Sequence, residues 1–215
     1  MTQTSKSKRR YNSARRQAQA NENRRQIVDA AAKLFSMYGY SGATIDAIAQ
    51  EAGVSSETVY AIFGNKRNIL TNLIDISVGG DHRPIPLLQR PGPQAVLQEN
   101  KPVHLLKLFA QDISGILERV APVIEITRIA AKTEPEIAES LKNLLEQRLK
   151  NLASVIQHLE TLGSLREGID ELQATETIWV LSSPEVFILL LKDRGWTKEH
   201  YVDWLSDSLI RLLLP

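Results

Sequence analysis

Cysteine is absent from the 215 residues, which excludes disulfides, thiol nucleophiles and cysteine metal sites and fits a reducing cytoplasm. Histidine is scarce, and His82, His104, His158 and His200 are too scattered to suggest a metal site. No glycine-rich phosphate loop, G-x-S-x-G elbow or H-E-x-x-H motif occurs, so neither catalysis nor a cofactor is expected. No apolar run approaches the roughly 18 residues that span a bilayer, and the N-terminus lacks the hydrophobic stretch of a secretory signal. The expectation is a cytoplasmic chain without a membrane partner. Alternation of the strand type, bounded by hairpin turns, is also missing, which leaves an all-α fold.

What is present is an asymmetry of charge. The first 25 residues carry eight basic groups (Lys6, Lys8, Arg9, Arg10, Arg15, Arg16, Arg24, Arg25) against Glu22 alone, whereas the remaining 190 hold 18 basic and 24 acidic groups. Residues 1–20 read as a basic disordered arm. Such an arm suits phosphates or a minor groove, or it is a solvated tail.

Beyond the arm the apolar residues recur with helical spacing. Ile27, Ala31, Leu34, Phe35 and Tyr38 define one face of a first helix that Gly39 closes, with Asn21 or Asn23 as its cap. Thr44 caps a second helix, Ile45 to Ala52, with Ile45, Ile48, Ala49 and Ala52 inward. Gly53 supplies a left-handed turn, Ser55 caps a third helix from Ser56 to Phe63, and a fourth begins near Asn65. A helix-turn-helix needs a small residue where two helices cross, a glycine at the turn, and apolar anchors behind the reading helix. Ala49, Gly53, Val54, Val59 and Ile62 meet those needs. The exposed side, with Ser55, Ser56, Glu57, Thr58, Tyr60 and Lys66, is rich in hydroxyls and ends in a cation, as a surface for double-stranded DNA requires.

The stretch from Arg24 to Leu73, above all ATIDAIAQEAGVSSETVYAIFGNKRNIL, resembles the DNA-binding domain of tetracycline-repressor (TetR) family regulators. The shared elements are the threonine-initiated second helix, the T-V-Y-x-x-F core and the lysine that follows. The resemblance implies a homodimer on a near-palindromic operator, an effector-binding C-terminal domain, and repression. Carried over by position, Thr44, Thr58, Tyr60 and Lys66 would hold phosphates, while Ser56, Glu57 and Ala61 would face base edges. Arg24 and Arg25, just beyond the arm, would add to the contact. Glu57 departs from the small residue or proline common there in the family; its carboxylate either accepts from cytosine N4 or stabilises its own helix N-terminus.

Residues 21–80 thus form the expected DNA-binding domain. Five of the nine prolines lie between Pro84 and Pro102, so residues 81–100 read as a connector, with a short helix near Gln94 to Gln98, lying over the second domain or at its entrance. Residues 101–215 read as a helical ligand-binding and dimerisation domain of five helices: Lys101–Arg119, Ala121–Lys132, Glu134–Leu162, Leu172–Leu191, kinked by Pro184, and Thr197–Leu214. Trp196 is expected to staple Tyr201. The last two are apolar on several sides, which predicts a homodimer through residues 172–214. Polar or aromatic residues on apolar helices, His104, Phe109, Arg128, His158, Trp179 and Phe187, are the candidates for contact with an unknown small-molecule effector. The competing reading is a helical protein-interaction module whose helix-turn-helix is structural.

Overall fold

The structure, a computed structural model, describes residues 4–215, with side chains from Arg16 onward. Among the described residues the regular elements are all helical. They divide into two compact units, one up to Leu73 and one from Ile74 on, so the division falls earlier than residue 80.

In the first unit α1 spans Thr4–Gly42 and is broken at Gly39, whose φ of 69° is the left-handed conformation that glycine tolerates at least cost. Residues 4–20, expected to be a disordered arm, are therefore the first turns of α1, and neither Asn21 nor Asn23 is a cap. Helices α2 (Ile45–Glu51) and α3 (Ser56–Phe63) follow, then α4 (Lys66–Gly79), within which the division falls. Ile27, Phe35, Ile48, Val59 and Ile69 are fully sealed, and Ala49 is 2% exposed where α1, α2 and α3 meet. Tyr38 departs from expectation at 60% exposed. The break at Gly39 swings Tyr40 inward instead, and its ring lies 5.5 Å from that of Phe35.

In the second unit the proline-rich segment is an integral part and not a link between units. A short 3-10 turn, Leu87–Gln89, leads into α5 (Pro91–Gln98), which packs on α6 with Val96 in the core. The approach is close: a Cβ on Gly92 would stand 1.9 Å from Asp112 Oδ1. Helix α6 (Pro102–Ala131) is one helix where two were expected. Pro122 removes a hydrogen bond at a cost of about 3 kcal/mol. Val120, Ala121, Val123 and Ile124 are buried around it, and packing on both sides of the proline holds the axis together. Helix α7 (Pro135–Thr161) matches its expected span. Helix α8 (Glu171–Leu181) ends before Pro184, more sharply than a kink, and α9 (Pro184–Ile188) restarts with Ser183 as cap before a π-type turn to Asp193. Glu171–Asp193 is long and apolar enough to cross a membrane by composition, contrary to the sequence expectation. It is nonetheless two helices, with Ile178 and Phe187 in the core.

Helix α10 (Lys198–Leu213) is capped by Thr197, which accepts from His200 N at 3.2 Å. Trp196 stacks on His200 at 3.8 Å and does not staple Tyr201, which turns inward to lie fully buried against Phe187.

Candidate functional site

Helix α3 is held from behind and open in front. Val59 and Phe63, one helical turn apart, are buried, while Glu57, Tyr60, Ala61 and Gly64 recur at i, i+3, i+4, i+7 and are exposed, Tyr60 by 54%. Gly53, at φ 67°, makes the turn from α2. Three helix starts in this unit are capped by side chains: Thr44 Oγ1 accepts from Ala47 N at 3.1 Å, Ser55 Oγ from Thr58 N at 3.2 Å, and Asn65 Oδ1 from Asn68 N at 2.9 Å. A hydroxyl that accepts in a cap keeps its proton. Thr44 thus remains a donor, while the Ser55 hydroxyl lies 3.1 Å from that of Thr58 and also hydrogen-bonds the Glu57 carboxylate.

Several expected DNA contacts have partners within the protein. Ser56 Oγ donates to Asp46 Oδ1 at 2.5 Å, so its hydroxyl proton is committed to α2 and not presented to a base edge. Lys66 Nζ donates to Tyr40 O at 2.7 Å and Ala43 O at 2.9 Å and sits 4.2 Å from the Tyr40 ring centre. A cation is favourable at those carbonyls because they close α1. Two of its three protons are therefore engaged away from the phosphate role. Arg24 donates from Nη2 to Ile62 O at 3.4 Å and lies over the Phe63 ring, and Arg25 pairs with Glu22 at 3.0 Å. The expected roles of Lys6, Lys8, Arg9, Arg10 and Arg15 fall outside the described side chains.

Glu57 is exposed, and hydrogen bonding to its own backbone N–H, then to Ser55, holds its carboxyl below the usual glutamate range. It presents an anion from the first turn of α3, beside Asp46, which opposes the shift. That favours an acceptor role toward a base amine over contact with phosphate. Asp46 and Asn65 are site residues the sequence reading missed. Acids and amides in the first turn of a helix are common as mere dipole or cap partners, and only the crossing of α2 and α3 shows that Asp46 reaches Ser56.

In the second unit the effector candidates separate. His104 Nδ1 pairs with Glu99 at 2.5 Å on the surface, and His158 Nε2 meets the Glu99 carbonyl at 2.9 Å. Phe109 is plain core, 5% exposed. Arg128, Trp179 and Phe187 instead adjoin one buried polar cluster. Arg128 pairs with Glu185, and Phe187 meets Tyr201 edge-on at 4.9 Å. At the centre of the cluster is Arg148, which was not foreseen. Its Nη2 donates to Trp179 O, Ser182 O and Ser182 Oγ at 2.8 to 3.0 Å, and its guanidinium lies 5.1 Å from the centre of the Trp179 ring. Burial lowers its pKa to about 10 and pushes the Tyr201 phenol well above its usual value. A signal existed: 148 stands in register with Leu141, Leu152, Val155 and Leu159 on the buried face of α7.

A helix-turn-helix with an outward reading face, followed by an all-helical unit, defines a DNA-binding regulator. Residues 27–73 match the profile of "Bacterial regulatory proteins, tetR family", so this segment is similar to the DNA-binding domain of that family of transcriptional regulators. The chain is 23% identical over 190 residues to the "Fatty acid metabolism regulator protein" of Bacillus subtilis, covering 88% of this chain and 92% of that one. It is 53% identical over 49 residues to the "HTH-type transcriptional regulator HbdR" of Aromatoleum, covering 23% of this chain and 21% of the relative. The fold is that of the fatty acid degradation regulator FadR from Bacillus halodurans, with a TM-score of 0.72 at 21% identity over 87% of this chain and 94% of that one. FadR from Bacillus subtilis in complex with stearoyl-CoA is also similar, with a TM-score of 0.66 at 22% identity over 87% and 97% of the two chains.

Proposed function

We propose that the chain is a homodimeric repressor of a near-palindromic operator, released by a fatty acyl effector that binds the second unit. The observation that carries the DNA reading is the row Glu57, Tyr60, Ala61 and Gly64, turned outward on a helix anchored by Val59 and Phe63. A helix-turn-helix serving only internal packing would have that row covered, which disfavours the interaction-module alternative. Tyr60, Thr44 and Thr58 hold phosphates, Glu57 and Ala61 meet base edges, and the basic arm supplies counterion release.

Dimerisation is supported by large apolar side chains left at the surface on the last helices: Leu172 at 62%, Val180 at 50%, Leu189 at 51% and Leu212 at 41% exposed. A second copy laid across residues 172–214 covers them and sets two reading helices in successive major grooves. The effector class is supported by the relatives, one named for fatty acid metabolism and one solved with stearoyl-CoA. A repressor of this kind works in the cytoplasm, needs no membrane partner and catalyses nothing.

Selection of bound fragments from random duplex DNA tests the reading. The expected product is an inverted repeat with half-sites about 34 Å apart, bound less tightly as salt rises and released by stearoyl-CoA. Recovery of no preferred sequence, or binding indifferent to salt, would defeat it.

A further inference from the structure

The second unit buries a cation with no anion hydrogen-bonded to it. Arg148 spends Nη2 on two carbonyls and a hydroxyl, but Nη1 is sealed from solvent and has no hydrogen-bond acceptor. A buried guanidinium nitrogen without an acceptor is costly and uncommon. The surroundings do not neutralise it. Glu185 is the acid whose field reaches Arg148, and that acid already pairs with Arg128, so two guanidinium groups share one carboxylate. The Tyr201 phenol close by stays protonated and adds a polar neutral group.

Next to this cluster is an open groove of about 400 Å³ whose walls are almost wholly apolar. Ala131, Ala138, Leu141, Leu145 and Leu149 form it together with Trp179, and the oppositely charged Lys142 and Glu146 also line it. Trp179 touches both features: its ring lines the groove and carries the Arg148 guanidinium on its face. Arg148 itself does not line the groove, and Trp179 stands between the two; an apolar trough separated by one side chain from an uncompensated cation is complementary to a molecule with a hydrocarbon tail and an anionic end.

We propose that Arg148 receives the anionic end of an amphipathic effector whose hydrocarbon chain lies in the groove that Trp179 lines. The inference rests on the fatty acyl reading given above and adds the residue that selects for charge. The anion accepts from Nη1, Arg148 keeps its hold on the end of α8 through Nη2, and Trp179 shifts to admit the ligand. The bidentate geometry of a guanidinium suits a carboxylate or a phosphate equally.

The test uses the full chain and three probes of one tail length: dodecanoate, dodecanoyl-CoA and dodecan-1-ol, titrated by calorimetry and by tryptophan fluorescence. The native protein is expected to bind at least one anionic probe about tenfold or more tighter than the alcohol, the scale of a charge-assisted hydrogen bond. Preference for dodecanoate assigns the carboxylate to Arg148, whereas preference for dodecanoyl-CoA alone assigns a phosphate. Arg148→Met should bind dodecan-1-ol as before and lose the preference for anions. Arg148→Lys, which keeps the charge but lacks Nη1, should lower the preference at least threefold, and it serves if the methionine variant does not fold. An unchanged preference in either folded variant overturns the proposal. Native protein that binds all three probes equally overturns it while leaving the fatty acyl reading intact, and native protein that binds none of them ends both.

Discussion

Ser56 donates its hydroxyl to Asp46 Oδ1 at 2.5 Å, a bond that ties the first turn of α3 to the first turn of α2. The two residues are ten apart in sequence and on different helices, so the bond fixes the angle at which α3 is offered to DNA. Replacing Ser56 with Ala should cost about 1 kcal/mol of stability, the usual worth of a partly exposed hydrogen bond. The bases preferred in a selection experiment should not change. A changed preference with unchanged stability would show that Ser56 reads bases itself.

Lys66 is a second tie of this kind. Its ammonium closes the end of α1 through two carbonyls, so Lys66→Met should lower stability by about 2 kcal/mol in denaturant unfolding. Loss of less than about 0.5 kcal/mol would show that these bonds contribute little beyond what water supplies.

Tyr60 and Glu57 should behave in the opposite way. Tyr60 is 54% exposed, and its truncation to Ala should leave thermal stability nearly untouched while weakening DNA binding by about tenfold through one lost phosphate contact. Glu57→Gln should change the preferred sequence at one position of each half-site. Selection with both variants checks the pair, and an unaltered preference in Glu57→Gln removes that residue from base recognition.

The turn before α5 carries a pH dependence. Hydrogen bonds from the Arg83 side chain, then from its backbone, and one from Arg90 hold the Asp81 carboxyl far below its ordinary value. A carboxyl depressed by folding stabilises the protein above its unfolded pKa, near 3.9, and that contribution is lost as pH falls below it. The stability gap between the native chain and Asp81→Asn should therefore be flat from neutral pH to about 5 and narrow at lower pH. Unfolding curves at a series of pH values measure it, and a gap that widens on acidification contradicts the assignment.

If residues 172–214 join two copies, a charge at an exposed apolar position there should separate them. Val180→Glu, at a site 50% exposed, should leave helix content intact and shift sedimentation toward the monomer. DNA affinity should fall with it, since one reading helix then binds without the other.

Much of the fold was legible because the determinants are local. The period of Ile27, Ala31, Leu34 and Phe35, the caps Thr44, Ser55 and Thr197, and the turn glycine Gly53 all act within one or two helical turns, and each stands where the sequence places it. The continuous α6 was not legible. The proline rule is local, whereas the burial of Val120, Ala121, Val123 and Ile124 that overrides it comes from other helices. The assignment of cations failed for a related reason. Lys66, Arg24 and Arg148 look alike in sequence, and a long basic side chain finds its carbonyl partners only after the helices are set side by side.

The sequence by itself determined where α2, α3, α7 and α10 begin and end, which side of α3 faces outward, and which family the first 73 residues resemble, because periodicity, capping and turn chemistry are written in neighbouring residues. Tertiary structure alone decided which polar groups remain available to a partner: Ser56 and Lys66 are bound within the protein, while Tyr60 stays exposed and Nη1 of Arg148 has no acceptor. A hydrogen bond depends on distance in space, and neighbours far apart in the chain are fixed only by folding.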